Sequence, residues 1–229
     1  SWDDAVDLSV WGADLVIDFG NNRGIHKYDG TAWTQLCGWD AANAMTVWDG
    51  KLVVDFGTGR GVWTHNGSAW AKLCGWDDTQ HMLACNGELA FDFGTGRGIW
   101  TYDETLTWTQ WAGWASAAHM IEWGTQLIVD FGAGRGIYTH NGTAWNKLSG
   151  WDDANAMVAW NADLVIDYGG GRGIWTFDAT TWEKISGEDD TAELLVQGAH
   201  LVADYGAGQG IYANDGTEFT GLIDWSTAD

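Results

Sequence analysis

The chain has 229 residues and sets 10 Lys plus Arg against 32 Asp plus Glu, a formal net charge of −22. That balance excludes a phosphate-binding basic surface, so no nucleic acid partner is expected, and without a long apolar run no membrane insertion is expected either. With 45% hydrophobic residues and 19 Trp the chain is no disordered acidic tail, and with 33 Gly and no Pro its turns must come from Gly, Asn and Asp.

In chain order, the triplet Asp-Phe/Tyr-Gly recurs at Asp18, Asp55, Asp92, Asp130, Asp167 and Asp204, at spacings of 37, 37, 38, 37 and 37. The one extra residue falls in the third copy, around Glu104 to Leu106. Six units follow, at 2–38, 39–75, 76–113, 114–150, 151–187 and 188–224, with a remnant at 225–229. The array is read as a single domain over 1–229.

The fifth copy displays the unit: Trp151-Asp152-Asp153-Ala154-Asn155-Ala156-Met157, then Leu164-Val165-Ile166-Asp167, Gly173-Ile174-Trp175-Thr176 and Trp182-Glu183-Lys184-Ile185. These stretches are short, rich in β-branched and aromatic residues, and bounded by Gly, Asn or Asp, which predicts strands. Asp49-Gly50 and Asn86-Gly87 follow a first strand, Gly57-Thr58-Gly59 a second, and Asn66-Gly67 or Asn141-Gly142 a third. Asn-Gly and Asp-Gly predict two-residue hairpins with positive φ at both positions. Each unit is therefore an antiparallel meander of strands a, b, c and d. Six such sheets predict an all-β fold, a six-bladed β-propeller of four-stranded antiparallel blades with about 37 residues per blade. A trefoil would need three units, and a solenoid shorter repeats.

Trp sorts by position in the repeat. The linker slot holds Trp2, Trp39, Trp76, Trp114, Trp151 and the remnant Trp225, with Glu188 breaking the pattern. Strand a ends at Trp11, Trp48, Trp123 and Trp160, strand c holds Trp63, Trp100 and Trp175, and strand d starts at Trp33, Trp70, Trp108, Trp145 and Trp182. Packing between sheets accounts for strands a, c and d, whereas the linker Trp sits on a loop at a blade junction. Every Arg occupies one slot in the b–c turn: Arg23, Arg60, Arg97, Arg135 and Arg172, with Gln209 in the sixth copy. In an up-down blade that turn and the d-to-a linker emerge on one face, which should gather the Arg ring, the linker Trp and the linker acids. Two roles stay open for the Arg slot: an ion pair inside each blade, Asp55 with Arg60 or Asp130 with Arg135, or contact with a polar ligand between blades.

Asp-Phe-Gly and Gly-x-Gly are shared with kinases, but six copies without a catalytic loop mark turn chemistry. The acidic linkers lack the dense oxygen ligands of a calcium loop. One slot reads Asp7, Ala44, His81, His119, Ala156, Glu193 and could gather a metal at a channel mouth, though solvated polar residues fit it better. No nucleophile–base pair stands out, so no enzymatic activity, cofactor or metal is expected. Cys37 and Cys74 share a strand-d slot with Ala112, Ser149 and Ser186, which predicts a small buried side chain and, with Cys85, three free thiols.

Two runs carry a family likeness: Trp70-Ala71-Lys72-Leu73-Cys74-Gly75-Trp76-Asp77 and Trp145-Asn146-Lys147-Leu148-Ser149-Gly150-Trp151-Asp152. They resemble the repeats of tachylectin-2-like and tectonin β-propeller lectins, although these units are shorter and carry their own Asp-Phe-Gly-x-Gly-Arg-Gly signature. The resemblance implies a lectin with one shallow sugar site per blade junction. The residues suit that role, since an indole stacks on a pyranose while Asp, Asn and Arg meet its hydroxyls. The expected ligand-binding residues are Trp39, Asp40, Asn43, Arg60, Trp76, Asp77, Arg97, Trp114, Arg135, Trp151, Asp152, Asn155 and Arg172, with Glu188 weakening the last junction. The expected partners are glycans or simple sugars, for a monomer acting outside the cell. The alternative is a non-catalytic scaffold or protein-interaction propeller, engineered or excised from a larger protein. Ring closure is expected without a strand exchanged between the first and last blades.

Overall fold

The computed structural model describes residues 5–20, 23–39, 42–57, 59–76, 79–113, 116–132, 134–151, 154–188, 190–206 and 209–223. The chain divides into two compact units, Ser1–Ser116 and Ala117–Asp229. Each contains three four-stranded antiparallel sheets, and each sheet is built from four strands consecutive in sequence. The fold is a six-bladed β-propeller, as the repeat predicts.

The second blade shows how the sequence dictates the sheet. Its strands are a, Ala44–Trp48; b, Lys51–Asp55; c, Val62–His65; and d, Trp70–Cys74. Strand b lies in the middle of the sheet with both faces covered, so Leu52, Val53 and Val54 are all completely buried. A run of consecutive apolar residues, rather than alternation, is what such a strand requires. The a–b turn, Asp49-Gly50, has φ of 49° and 68°, the expected two-residue hairpin.

The c–d turns differ from expectation. Only Gly67 of Asn66-Gly67 has positive φ, and Asn66 instead accepts the amides of Ser68 and Ala69 through Oδ1, each at 3.0 Å. Asn141 repeats this with Thr143 and Ala144, while Asp29 and Asp178 use a carboxylate in the same position. The side chain thus closes a longer turn by itself. In the first blade the Thr31 hydroxyl and the Ala32 and Thr31 amides hold the Asp29 carboxyl down to about 2. The third blade absorbs its extra residue here, where the Asp103 amide reaches Thr107 and Leu106 adopts a φ of 64°.

In the b–c turn, Gly61 has a φ of 75°, and a Cβ there would lie 2.4 Å from the Cys74 carbonyl oxygen. That close approach accompanies a bulge. Val62 pairs with Cys74 but Trp63 with Lys72, so Leu73 is the additional residue on strand d. The same shift occurs in all six sheets and bends the end of strand d into the linker. Cys37 and Cys74, at the end of that strand, are half-buried rather than buried, whereas the smaller Ala112 in the same slot is buried; Cys85 is buried, and all three thiols are free. Burial pushes the Cys37 and Cys74 thiols above their ordinary value.

Within each unit, neighbouring sheets are joined by two repeated contacts. At one end, the strand-a indole donates to a carbonyl in the next blade's a–b turn: Trp11 to Gly50 and Trp48 to Gly87 at 2.7 Å, Trp123 to Ala162 at 2.8 Å, and Trp160 to Ala199 at 2.9 Å. At the other end, the Asp closing strand b is fully buried at Asp18, Asp55, Asp92, Asp130 and Asp167. A buried carboxylate must be hydrogen-bonded, and each of these divides its two oxygens. One accepts the Gly amide two residues on, at 2.8 Å at Asp18, Asp55, Asp92, Asp130 and Asp167. In four of them the other accepts an amide of the next blade's linker: Asp18 from Ala42, Asp55 from Thr79 together with its hydroxyl, Asp130 from Ala154, and Asp167 from Thr191 together with its hydroxyl, while Asp92 accepts the Ser116 hydroxyl at 3.4 Å. The Asp55 carboxylate is therefore engaged by Gly57 and Thr79 rather than Arg60, whose guanidinium lies against the Trp39 ring.

The indole contact can be separated from bulk packing. Trp48→Phe should cost about 1 kcal/mol, the worth of one hydrogen bond, and Trp48→Ala about 3–5 kcal/mol through the cavity it leaves. Urea denaturation of the two variants provides the check.

Candidate functional site

The site is assembled where strand d ends, the linker begins and the b–c turn of the following blade folds over. Strand c fixes that turn from below. Trp63 donates its indole N–H to the Arg60 carbonyl at 3.1 Å, Trp100 to Arg97 at 2.9 Å and Trp175 to Arg172 at 3.0 Å. The linker Trp then lies against this platform. Trp39 meets Phe56 and Trp63 edge-on, with centroids at 4.9 and 5.1 Å; Trp76 meets Phe93 and Trp100 at 5.1 and 5.0 Å; Trp151 meets Tyr168 and Trp175 at 5.1 and 5.5 Å. Edge-to-face contacts of this kind leave part of each indole face open. Trp76 is 37% exposed and Trp151 44% exposed.

Within the second and the fifth blade, Arg and linker Trp do come together. The Arg60 guanidinium lies 5.6 Å from the Trp39 ring centroid, and that of Arg172 lies 5.8 Å from Trp151. This is cation–π distance, so each guanidinium rests on the ring beside it. Arg97 and Arg135 occupy the same place in their turns, their amides bonding the carbonyls of Gly94 and Gly132.

At the fourth-to-fifth blade junction the arrangement encloses ≈ 350 Å³, lined by Leu148, Ser149, Gly150, Trp151, Tyr168, Trp175 and Trp182. The walls are mainly aromatic. Burial pushes the Tyr168 hydroxyl up to about 12, so it stays protonated at neutral pH. The equivalent hollow of the sixth blade encloses ≈ 480 Å³ and is lined by Ser186, Glu188, Tyr205, Gln209, Tyr212 and Phe219.

Two expected ligand contacts have internal roles. Asn155 donates Nδ2 to Asp167 at 3.2 Å and to the Thr191 carbonyl at 2.7 Å, which commits its amide protons to the junction with the sixth blade. Asn43 bonds Asp55 through its backbone amide, and its side chain packs on Gly57, where an added Cβ would be 2.8 Å from Nδ2. Asp40, Asp77, Trp114 and Asp152 lie outside the described residues. The residues that sequence reasoning overlooked are the aromatics of the Asp-Phe/Tyr-Gly triplet, Phe56, Phe93 and Tyr168, which support the linker Trp. Their regular recurrence was the available signal, read there as turn chemistry alone. Among the described residues, no three His, Cys, Asp or Glu side chains are grouped to hold a metal ion.

These features define a β-propeller with aromatic hollows at blade junctions. No family model matches the chain, and no curated protein matches it. Solved structures do. The chain is similar to the extracellular domain of a one-component system from B. thetaiotaomicron, at 17% identity and a TM-score of 0.67, over 97% of this chain and 33% of that one. It thus spans about a third of that protein's length. It is also similar to YCF48 bound to D1 peptide, at 14% identity and 0.66, over 96% and 82% of the two chains. A third neighbour is a catalytically inactive virginiamycin B lyase from Staphylococcus aureus with quinupristin, at 14% and 0.60, over 86% and 75%. At such identities the likeness is one of fold, and none of the three is a tachylectin or tectonin lectin.

If Arg172 shields one face of Trp151, Arg172→Ala should move the Trp151 resonance in the ¹⁹F spectrum of 5-fluorotryptophan-labelled protein and increase its solvent-induced shift. The Trp39 resonance should stay in place, since its own Arg60 is untouched.

Proposed function

We propose that the protein is a multivalent carbohydrate-binding propeller, with a shallow site at each junction that carries a linker Trp. The observation that supports this most is the part-open Trp151 face over an aromatic hollow of ≈ 350 Å³, with the same linker-Trp platform at Trp39 and Trp76. A pyranose offers an apolar C–H face to such an indole and hydroxyls around its rim. At the Trp151 site the polar rim consists of Ser149, whose Oγ accepts the Trp151 amide and bonds the Tyr168 hydroxyl, and of the Arg172 guanidinium on the Trp151 ring, and Asp152 follows directly in the chain. Asp40 and Asp77 hold the same position after Trp39 and Trp76. Arg97 stands in the same repeat as Trp76, and Trp114 with Arg135 extends the series to the fourth repeat. Each site alone binds weakly. Repetition on a rigid scaffold converts weak sites into avidity for a glycan-covered surface. This reading makes the protein a non-enzymatic monomer that works outside the cell, a location with which the extracellular neighbour agrees.

A second reading is a peptide-binding propeller, favoured by the apolar walls of the Trp151 hollow and by the neighbour that carries a peptide. Titration with a panel of simple sugars, followed by indole emission and calorimetry, separates the two. The lectin reading expects saturable binding of one sugar class, with affinity rising by about 10²–10⁴ on a multivalent glycan surface. Trp151→Ala should lower the stoichiometry by one site. No response to any sugar, with saturable binding of apolar peptides at the same residues, would replace the lectin with the peptide binder.

A further inference from the structure

The sixth-blade hollow departs from the others in two positions at once. Where the fifth blade has Trp151 and Arg172, the sixth has Glu188 and Gln209. At two other junctions the linker ring carries the protein's own cation, with the Arg60 and Arg172 guanidinium groups resting on Trp39 and Trp151. Here that cation is gone and an exposed carboxylate stands in the linker position. The rest of the hollow remains aromatic. Tyr205 and Tyr212 meet edge-to-face, with centroids 5.6 Å apart at 74°, and Phe219 takes the place of Trp182. The Glu188 amide donates to Ser186 Oγ at 3.0 Å, and Ser186 Oγ lies 3.4 Å from the Tyr205 hydroxyl, which ties the Glu188 backbone to the aromatic wall. Among the described residues, no Lys or Arg lines this hollow or that of the fifth blade.

From this geometry we propose that the sixth-blade hollow binds an organic ammonium ion, the trimethylammonium group in particular. Aromatic faces attract a cation within about 6 Å of the ring centroid, and most strongly one that is weakly hydrated. A carboxylate at the rim adds attraction without being buried itself. Among the described lining residues a hydrated metal ion finds Glu188 as its one carboxylate, too little for a coordination shell, whereas a quaternary ammonium needs no inner-sphere ligand. The ≈ 480 Å³ available exceeds the ≈ 350 Å³ of the fifth-blade hollow, where an indole occupies the position of Glu188.

The test titrates choline chloride into the full chain, with 3,3-dimethyl-1-butanol as the neutral isostere, read by calorimetry and by the ring resonances of Tyr205 and Tyr212. Choline should bind at least about tenfold tighter than the isostere. Glu188→Gln should weaken choline severalfold. The double variant Glu188→Trp with Gln209→Arg, which installs the fifth-blade pair, should abolish binding. Trp151→Ala should leave choline binding unchanged, so the sugar reading and this one can fail separately. A peptide carrying trimethyl-lysine identifies the source of the group: tighter binding than choline assigns a modified protein, weaker binding a free or lipid-borne head group, and either agrees with the proposal. Equal affinity for choline and its isostere, or choline binding that survives Glu188→Gln unchanged, would overturn it. Should the double variant fail to fold, the Glu188→Gln comparison decides alone.

Discussion

The structure depends on where the buried carboxylates at the ends of the b strands send their two oxygens. One oxygen closes the carboxylate's own b–c turn through a Gly amide, and the other takes an amide from the next blade's linker, as Asp55 does with Gly57 and Thr79. Hydrogen bonds to a charged group inside a protein contribute about 1.5–3 kcal/mol each. Asn would place an NH2 donor where the second oxygen accepts an amide, and Glu would overreach the turn. A single side chain thus couples the local fold of one blade to the placement of its neighbour, at Asp18, Asp55, Asp130 and Asp167 alike.

That coupling carries through to the site. The latched residues Ala42, Thr79, Ala154 and Thr191 each stand three positions after the linker slot of Trp39, Trp76, Trp151 and Glu188. Fixing the amide fixes the reach of the linker side chain toward the b–c turn. The strand-c indole works from the other side, holding the turn carbonyl that precedes Gly61 or Gly173. The linker residue is left between two fixed points while its outward face stays open. Changing it from Trp to Glu then alters the chemistry of the hollow without altering the scaffold that presents it.

Much of this was legible in the sequence because it is periodic. A period of 37 with four apolar stretches leaves little choice but a four-stranded blade, and the fixed Arg and Trp slots place both on one face. What escaped the sequence involved partners without a side-chain signature. Asp55 bonds to backbone amides, one of them 24 residues away, and an amide has no letter in the sequence. Asn86-Gly87 and Asn66-Gly67 look alike, yet the first makes a two-residue hairpin and the second a turn closed by the Asn side chain, a difference set by the strands around them. Asn155 has the polarity of a sugar ligand but lies within reach of Asp167 and Thr191. Phe56 and Tyr168 were hidden inside a motif whose Gly and Asp already explained it.

Amide hydrogen exchange tests the latch most directly, because it reads the hydrogen bond itself. Thr79 lies outside regular secondary structure, where an amide ordinarily exchanges quickly. The latch predicts that the Thr79 amide is protected as strongly as the central b strands. In Asp55→Ala the Thr79 and Gly57 amides should lose that protection while Ala154, held by Asp130, keeps it. A Thr79 amide that exchanges at the rate of an open loop in the unaltered protein would contradict the latch, and with it the placement of the linker residues over the hollows.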